Sequence, residues 1–392
     1  MLQRNISAGR LRFTTDYAEA AEFADVHFLA VGTPQKRGEF AADVSAIESV
    51  ITSLAPLINR PAVILGKSTV PVGTAHEMRA LARNLSPVGD ELELGWNPEF
   101  LREGHAIKDT LEPDRLVVGV ADDGAGRTEA VAREVYADLL AAGVPFLLTD
   151  LATAELAKTA ANAFLATKIS FINAIAELCE AAGADVVQLA DAIGYDPRIG
   201  RAFLNAGLGF GGGCLPKDIR AFMARAGELG AAQALTFLRE VDSINMRRRT
   251  QMVEMVKQSC GELLGAHVAV LGAAFKPDSD DVRDSPALNV AGQLQLQGAT
   301  VNVYDPKAME NSRALFPTLG YSTSALEACD NADVVVVLTE WKEFRDLDPV
   351  ELAKTVRQRK MIDGRNCLDP ARWIGAGWQY RGFGRASSRT AN

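Results

Sequence analysis

The stretch that decides the fold is HVAVLG (267–272), followed by TVNVYD (300–305) and DVVVVLT (333–339). Each is a short run of β-branched and apolar residues, and helix-like stretches separate the three, which is typical of buried parallel strands. An acidic residue, Asp305, ends the second run. This order, with an acid in that position, predicts a doubly wound α/β domain.

The front of the chain shows the same alternation. VHFLAV (26–31), AVIL (62–65) and LVVGV (116–120) are predicted strands with helices between them. From about residue 151 to residue 256 long helical patterns replace them, beginning with an Ala- and Leu-rich run that stops at Gly183. The sequence therefore predicts an α/β part, a helical part and a second α/β part, with boundaries at 1–150, 151–262 and 263–392.

Composition limits the possible functions. The 392 residues carry 41 basic and 50 acidic side chains, a formal net charge of -9, which argues against a general nucleic-acid or anionic-membrane binder. No apolar run approaches the length of a membrane span, and the first residues lack the apolar core of a secretory signal. Five widely spaced cysteines and four histidines favour neither a disulfide framework nor a zinc site. We expect a soluble cytoplasmic protein without a metal site.

A dinucleotide-binding domain normally opens with a strand, G-x-G-x-x-G and a helix, and its second strand ends in an acid. No segment before Val26 supplies these features. GLGFGG (207–212) matches the glycine spacing, but no buried strand precedes it, so we do not interpret it as a nucleotide fingerprint. The prediction is that the first α/β domain is N-terminally incomplete.

The segment GLGFGGGCLPKDIRAF (207–222) carries the clearest chemistry. Its glycines allow close backbone approach, and a helix is predicted to begin near Pro216. Cys214 lies just before that helix, where unpaired N–H groups favour a thiolate. Lys217 adds positive charge, and Asp218 can face the same side of the helix as the cysteine. Cys214 is therefore a candidate nucleophile, the alternative being a buried structural cysteine in a tight turn.

GFGGGCLPKD resembles the cysteine loop of the nucleotide-sugar 6-dehydrogenases, the family of UDP-glucose dehydrogenase. Further blocks follow that family's order: GTP (32–34), KSTVPVGT (67–74), NPEFLREG (97–104), AELAKTAANAF (154–164), AFKPDSDDVRDSP (274–286) and DGR (363–365). The resemblance implies two Rossmann-like doubly wound domains joined by a long-helix central domain. Residues 1–150 would be a partial NAD-binding domain, 151–262 a dimerisation domain and 263–392 a UDP-sugar-binding domain.

The resemblance also implies an activity. Such an enzyme oxidises the CH₂OH of UDP-glucose to the carboxylate of UDP-glucuronate with two NAD, through a thiohemiacetal and a thioester on its cysteine. Cys214 would be that nucleophile, and Lys158 and Asn162 would cradle the oxyanion. Asp218 and Glu103 would handle protons and the hydrolytic water, and Thr69 would orient a water.

Ligand contacts follow from the same resemblance. Substrate would contact Glu99, Phe100, Leu101, Arg102, Glu103, Lys158, Asn162, Arg198, Asn205, Gly211, Phe275, Lys276 and Arg365. NAD would contact Thr33, Thr69, Glu103, Lys217 and Arg283. Plainer interpretations stand beside these roles. Thr33 and Thr69 are alternatively strand-end caps, and Glu99 and Glu103 are alternatively surface charges. Lys158 and Asn162 could form a solvated helix face, and Arg283 could belong to a local ion pair.

Several alternatives stay open at this point. The nearest is a GDP-mannose 6-dehydrogenase, although Pro113–Arg115 resemble the UDP-glucose branch more closely. Another is a catalytically impaired fragment that binds a nucleotide sugar, and a third is a cysteine hydrolase, which lacks a suitably placed histidine. The apolar helices of residues 151–256 predict a homodimer or a higher homo-oligomer, in which Arg198 would reach the neighbouring subunit's substrate.

Overall fold

The structure, a computed structural model that describes residues 2–121 and 126–385, has two β-sheets of five and six strands. The strands are β1 (Val26–Leu29), β2 (Ala62–Gly66), β3 (Leu92–Trp96), β4 (Leu116–Val120), β5 (Phe146–Asp150), β6 (His267–Leu271), β7 (Thr300–Tyr304), β8 (Gly320–Tyr321), β9 (Val334–Val337), β10 (Lys360–Asp363) and β11 (Gln379–Gly382).

The α-helices are α1 (Leu2–Ser7), α2 (Tyr17–Phe23), α3 (Ser45–Leu54), α4 (Thr74–Leu85), α5 (Ala106–Leu111), α6 (Gly126–Val135), α7 (Ala137–Ala141), α8 (Leu151–Ala182), α9 (Val186–Gly194), α10 (Leu215–Glu228), α11 (Phe237–Cys260), α12 (Pro286–Leu296), α13 (Met309–Leu315), α14 (Ala325–Ala328), α15 (Lys342–Arg345), α16 (Pro349–Leu352) and α17 (Pro370–Gly375). None of these helices, within the described ranges, is both long enough and apolar enough to cross a membrane.

Internal contacts divide the chain into two units. Unit 1 comprises Met1–Ala161 with Arg220–Gly230, and unit 2 comprises Asn162–Ile219 with Ala231–Asn392. The helices α8 and α10 each contribute residues to both units. The three-part division at 150 and 262 is a separate prediction.

The sheet of unit 1 has the order β1-β2-β3-β4-β5, and its pairs are parallel except β3 with β4, which are antiparallel. All five residues of β2 are buried, as expected for a strand covered on both faces. Ile47 and Ile51 of α3 pack with Ile64 and Trp96 in one apolar cluster. The predicted α/β fold is thus confirmed here, whereas the predicted lack of a preceding glycine-rich segment stays a prediction.

The sheet of unit 2 is parallel throughout, in the order β8-β7-β6-β9-β10-β11. Counted along the chain this is 3-2-1-4-5-6, the doubly wound order, and it confirms the predicted second Rossmann-like fold. The strand order reverses between β6 and β9, and ligands of such sheets bind beside the carboxyl ends of strands at that point.

The acid at the end of β7 has a structural role in this sheet. Asp305 is buried, and its Oδ2 accepts hydrogen bonds from the N–H groups of Ala273 and Ala274 and from Trp341 Nε1. Its Oδ1 accepts from the next turn, at Lys307 and Ala308. The carboxylate is therefore occupied by protein donors at the position where a ribose would be held in a dinucleotide-binding domain.

The long helices predicted between the two α/β parts are present. α8 has 32 residues and ends where Gly183 adopts a left-handed conformation (φ 73°), and α11 has 24 residues. Within unit 2 the Ser170 hydroxyl of α8 donates to the Val241 carbonyl of α11 over 2.7 Å. Long helices thus connect the segments that carry the predicted site residues.

Candidate active site

The glycine run before Cys214 is packed tightly against the second α/β region. A Cβ on Gly212, which has φ 81°, would lie 2.7 Å from the Phe275 ring, and one on Gly213 would lie 2.5 Å from the Arg283 guanidinium. A Cβ on Gly211 would collide with the Asp284 carbonyl oxygen. Gly211 and Gly212 therefore require glycine for close approach, whereas at Gly213 the flexible Arg283 side chain would have to move away.

Two further contacts hold this loop. Asn245 of α11 binds both backbone groups of Phe210, accepting from its N–H over 2.7 Å and donating to its carbonyl over 3.0 Å. The Gly212 N–H donates to the Arg283 carbonyl over 2.9 Å. Behind Arg283, the buried Arg249 forms a 2.8 Å ion pair with Asp284. The loop is therefore held from two sides before the chain reaches Cys214.

Cys214 is exposed, and α10 begins at the next residue. Its thiol group therefore lies at a helix N-terminus, where backbone N–H groups favour a negative charge. Asp218 is buried one turn further on; its Oδ2 accepts a 2.6 Å hydrogen bond from Asn162 Nδ2. Its Oδ1 lies 2.7 Å from Lys217 Nζ in an ion pair whose geometry is not that of a hydrogen bond, so this oxygen retains acceptor capacity within the described residues.

A cavity of about 480 Å³ lies beside this loop in unit 2. Three arginines line it, Arg201, Arg345 and Arg365, with Glu340 as the acidic member. The excess of positive charge suits a phosphorylated ligand, and the volume is within the usual range for small-molecule sites. Asn205, predicted to bind substrate, also lines the cavity and accepts a 2.7 Å hydrogen bond from Arg201.

Arg365 has a second role that its predicted substrate contact did not suggest. Its guanidinium donates to the carbonyls of Leu338, Gly209 and Phe275 over 2.7, 2.9 and 3.2 Å. It therefore joins the carboxyl end of β9, the segment after β6 and the glycine loop at the switch point of the sheet. Lys276 carries its ammonium 5.4 Å from the centre of the Phe275 ring.

In unit 1, three polar side chains meet at the carboxyl ends of β2 and β3. Lys67 Nζ donates to Asn97 Oδ1 over 3.0 Å, and the Tyr136 hydroxyl donates to the same oxygen over 2.6 Å. Asn97 is buried and donates through Nδ2 to the Val117 carbonyl. Burial lowers the pKa of Lys67 to about 8, and burial also raises the pKa of Tyr136 to about 12.

The NPEFLREG block contacts the buried Lys158 of α8. Lys158 Nζ lies 3.1 Å from Glu99 Oε1 and 5.6 Å from the centre of the Phe100 ring, on which Arg115 also stacks. Lys158 is 6% exposed, which excludes the alternative of a solvated helix face for this residue. Leu101 is exposed, donates its backbone N–H to Glu99 Oε2, and precedes the half-buried Glu103 by two residues.

Three arginines with predicted ligand contacts form ion pairs within their own segments. Each arginine side chain is more than half exposed. The pairs are Arg102 with Asp109, Arg198 with Asp196, and Arg283 with Asp281. For Arg283 this is the plainer alternative weighed from the sequence, and the guanidinium also packs against Gly213.

The carboxyl edge of the unit 1 sheet fits the dinucleotide implied by the resemblance. The Thr33 hydroxyl, after β1, donates to the Thr69 carbonyl, after β2, over 2.6 Å, so the two segments form one continuous edge. Thr33 is buried, and at the neighbouring Gly32 no atom of the described residues other than its immediate chain neighbours lies within 4 Å of where a Cβ would stand. Backbone beside open space, at the ends of parallel strands, is where a nucleotide can approach closely.

Several polar residues of these regions were not found by sequence reasoning. They are the Lys67–Asn97–Tyr136 group, the Arg249–Asp284 pair, and the cavity residues Arg201, Glu340 and Arg345. Lys67 and Asn97 lie inside blocks that were recognised, and Arg249 ends a run of three arginines (247–249). A polar residue inside an otherwise apolar helical pattern is the signal that could have identified Arg249.

Comparison with known proteins identifies the family of the chain. Three models of the UDP-glucose/GDP-mannose dehydrogenase family match: the NAD binding domain at residues 1–140, the central domain at 152–247 and the UDP binding domain at 269–370. The UDP-glucose 6-dehydrogenase of Rhizobium meliloti (strain 1021) is 42% identical over 385 residues, which cover 98% of this chain and 87% of the relative.

Two further proteins support the same assignment. UDP-glucose 6-dehydrogenase TuaD of Bacillus subtilis (strain 168) is 39% identical over 391 residues, covering 99% of this chain and 83% of the relative. The structure of a UDP-glucose dehydrogenase from the hyperthermophilic archaeon Pyrobaculum islandicum superposes with a TM-score of 0.88 at 37% identity, covering 98% of this chain and 85% of that one. The chain therefore belongs to the UDP-glucose/GDP-mannose dehydrogenase family.

Proposed function

We propose that the protein oxidises UDP-glucose to UDP-glucuronate with NAD, a four-electron oxidation of a primary alcohol. The observation that carries this proposal is Cys214, exposed at the start of α10, with the buried Asp218 one turn further along the helix. A nucleophile and an adjacent carboxylate are what acyl transfer through a thioester requires. When bound, NAD supplies the hydride acceptor for each of the two oxidations.

The proposed catalytic residues comprise a nucleophile, two oxyanion donors, two proton acceptors and one residue that orients water. The Cys214 thiolate adds to the aldehyde carbon, forming a C–S bond, and after the second oxidation water cleaves the resulting thioester and releases the thiolate. Lys158 and Asn162 donate to the oxygen that becomes negative at the attacked carbon. Asp218 and Glu103 accept the protons of the hydroxyl group and the hydrolytic water, and Thr69 orients a water.

The cavity of unit 2 is the proposed site of the nucleotide. Arg365, Lys276 and Phe275 would contact the UDP part, together with the backbone from Asn205 to Gly211. Glu99, Phe100, Leu101, Arg102 and Glu103 of the NPEFLREG block, with Lys158 and Asn162, would contact the sugar. For NAD, the proposed contacts are Thr33, Thr69, Glu103, Lys217 and Arg283.

We divide the chain by function along the three matched family models and not along the two compact units. We assign NAD binding to residues 1–150, dimerisation to 151–262 and UDP-sugar binding to 263–392. The family models at 1–140, 152–247 and 269–370 support these boundaries.

A homodimer or larger homo-oligomer is also part of the proposal. Along α8 of unit 2, Phe164, Phe171 and Leu178 recur every seventh residue on one face and are 66%, 49% and 63% exposed. An apolar helix stripe of this kind is a typical protein–protein contact, and a second copy of the chain would cover it. Arg198, whose side chain is 87% exposed, would then reach the neighbouring subunit's substrate. The five cysteines form no disulfide in the described part of the chain, which supports a reducing compartment such as the cytoplasm.

The proposal is tested by incubating the protein with NAD and each nucleotide sugar and measuring both NADH and product. UDP-glucose should yield two NADH for each UDP-glucuronate. GDP-mannose oxidation is not favoured, because the curated relatives reported above are UDP-glucose 6-dehydrogenases. Faster turnover of GDP-mannose would overturn the substrate assignment. Binding of UDP-glucose without NADH formation would instead identify the catalytically impaired alternative. Cleavage of a thioester in the absence of NAD would identify the hydrolase.

A further inference from the structure

Glu155 is a buried carboxylate to which neither the sequence motifs nor the proposed mechanism gives a role. It lies on α8 three residues before Lys158 and is 2% exposed. Its Oε2 accepts a 2.7 Å hydrogen bond from the Gly73 N–H, and its Oε1 accepts a 2.6 Å bond from the Ala75 N–H. These N–H groups flank the start of α4, where a helix offers its own donors no partner. Glu155 thus caps α4 from another helix.

The segment held in this way is the KSTVPVGT block. Gly73 has φ 99°, a conformation that favours glycine. Pro71 restricts the backbone before it, and the Thr74 hydroxyl donates to the Pro71 carbonyl over 2.7 Å. The turn held in this way begins two residues after Thr69 in the chain. The carbonyl of Thr69 in turn accepts a hydrogen bond from the Thr33 hydroxyl.

Two charged groups face the Glu155 carboxylate from the elements packed against it. Arg225 of α10 stabilises the ionised form and also donates from Nε to the Val72 carbonyl over 2.8 Å, while Glu77 of α4 disfavours it. Burial is the largest effect, and it raises the pKa of Glu155 to about 7 despite the two N–H bonds. When the carboxyl is protonated, one oxygen becomes a poor acceptor, so one of the two bonds weakens.

We propose that Glu155 is a positioning residue that fixes the KSTVPVGT segment, and with it Thr69 and Thr33, for the cofactor. The hold, by which we mean the two hydrogen bonds from Gly73 and Ala75 to the Glu155 carboxylate, weakens when the carboxylate is protonated. The link to the cofactor rests on the proposed function. The hold itself does not, so the two parts are tested by different measurements.

The hold is tested by following the backbone amide NMR signals of Gly73 and Ala75 between about pH 5 and pH 9. Both should titrate together with a midpoint near 7 in the wild-type protein. Glu155→Gln should abolish this titration, and Glu48→Gln, the same change at an exposed site of α3, should leave it unchanged. Glu77→Gln should move the midpoint to lower pH, since it removes a like charge. Amides that do not titrate in the wild type, or that titrate in Glu155→Gln, would overturn the hold.

The link to the cofactor is tested by kcat/KM for NAD. Glu155→Gln should lower it about tenfold near pH 8 but only about twofold near pH 6, where the wild-type carboxyl is itself largely protonated. Glu155→Asp, which keeps the charge but is shorter, should recover part of the loss near pH 8. If the amides titrate but the NAD kinetics of Glu155→Gln and Glu48→Gln agree at both pH values, the hold stands and the link fails. Absence of any turnover in the wild type would contradict the proposed function and leave the amide result to decide the hold.

Discussion

The side-chain amide of Asn162 donates a 2.6 Å hydrogen bond to the carboxylate of Asp218. This bond orients the Asp218 carboxylate from a neighbouring helix, one turn after Cys214. The other carboxylate oxygen lies 2.7 Å from the Lys217 ammonium without hydrogen-bond alignment, and in the proposed mechanism this carboxylate has the role of proton acceptor. Replacing Asp218 is therefore the most direct test of the proposed proton transfer.

Asp218→Asn should lower kcat by about a hundredfold or more, since general acid–base groups contribute factors of this size. KM for UDP-glucose should change little, because shape is preserved while the proton acceptor is lost. Steady-state NADH formation measures both quantities. Asp90→Asn, at an exposed ion pair with Arg83, is the matched control. Equal kcat values in the two variants would show that Asp218 does not handle a proton.

Cys214→Ser should reduce acid formation to below about a thousandth of the wild-type rate, because a serine hydroxyl is far less ionised than a thiol at neutral pH. The variant should still be stabilised against heat by UDP-glucose, through mass action on the folded state. Product analysis and thermal melting test these two statements. Cys260→Ser, on α11, should keep wild-type turnover. Wild-type turnover in Cys214→Ser would contradict the thioester route.

Two glycine substitutions should have opposite effects on stability. Gly212→Ala places a methyl group 2.7 Å from the Phe275 ring in a left-handed backbone, so we expect a loss of about 1–3 kcal/mol in the free energy of unfolding. Gly227→Ala lies in α10, where no atom of the described residues outside the adjoining helix backbone and chain neighbours is within 4 Å of the new Cβ. It should raise stability by about 0.5–1 kcal/mol. Urea unfolding measures both, and equal effects would refute the close packing of the loop.

Stability should depend on the ionisation of Lys67. Burial lowers its pKa from 10.5 to about 8, so between these values the unfolded chain binds the extra proton and stability rises with pH. Lys67→Met removes this penalty. The variant should melt at a higher temperature than the wild type near pH 7. Its advantage in the free energy of unfolding should shrink by about 1–3 kcal/mol between pH 7 and pH 10. Lys257→Met, at an exposed site of α11, should show no such pH dependence.

The apolar stripe of α8 should hold two subunits together. Sedimentation of the wild-type protein should give about twice the 42.0 kDa monomer mass. Phe171→Glu buries a charge in the proposed contact and should yield monomers, whereas Leu296→Glu, 87% exposed on α12, should not. A wild-type protein that sediments as a monomer at micromolar concentration would contradict the interface and the proposed role of Arg198.

The fold could be predicted where strands are continuous apolar runs. β2, β6 and β9 are completely or almost completely buried and were found within one or two residues. β3, β8 and β10 were not found, because LELGW (92–96), GY (320–321) and KMID (360–363) are short and mix polar or glycine residues with apolar ones. β5 and β11 were also not found, because FLLTD (146–150) and QYRG (379–382) are partly exposed and carry a mixed pattern. Their place is fixed by pairing with β4 and β10, which is tertiary information.

The candidate site could be predicted where its residues are close in the chain. Cys214, Lys217 and Asp218 lie within one helical turn, so spacing alone indicates their proximity. Glu155 and Gly73 are 82 residues apart, and Lys67 and Tyr136 are 69 apart, so only the fold brings each pair together. The family resemblance identified blocks of residues, but it gave no account of which blocks contact each other.

The close packing of Gly211, Gly212 and Gly213 against Phe275, Arg283 and Asp284 bears on how the enzyme is made. The ribosome releases the second group roughly sixty residues after Cys214, and the rest of the six-stranded sheet later still, at a pace of about 5–20 residues per second. During that interval the cysteine loop lacks the surface that shapes it. We therefore expect the proposed nucleophile to reach its final environment late in biosynthesis, so that incomplete chains carry an inactive thiol.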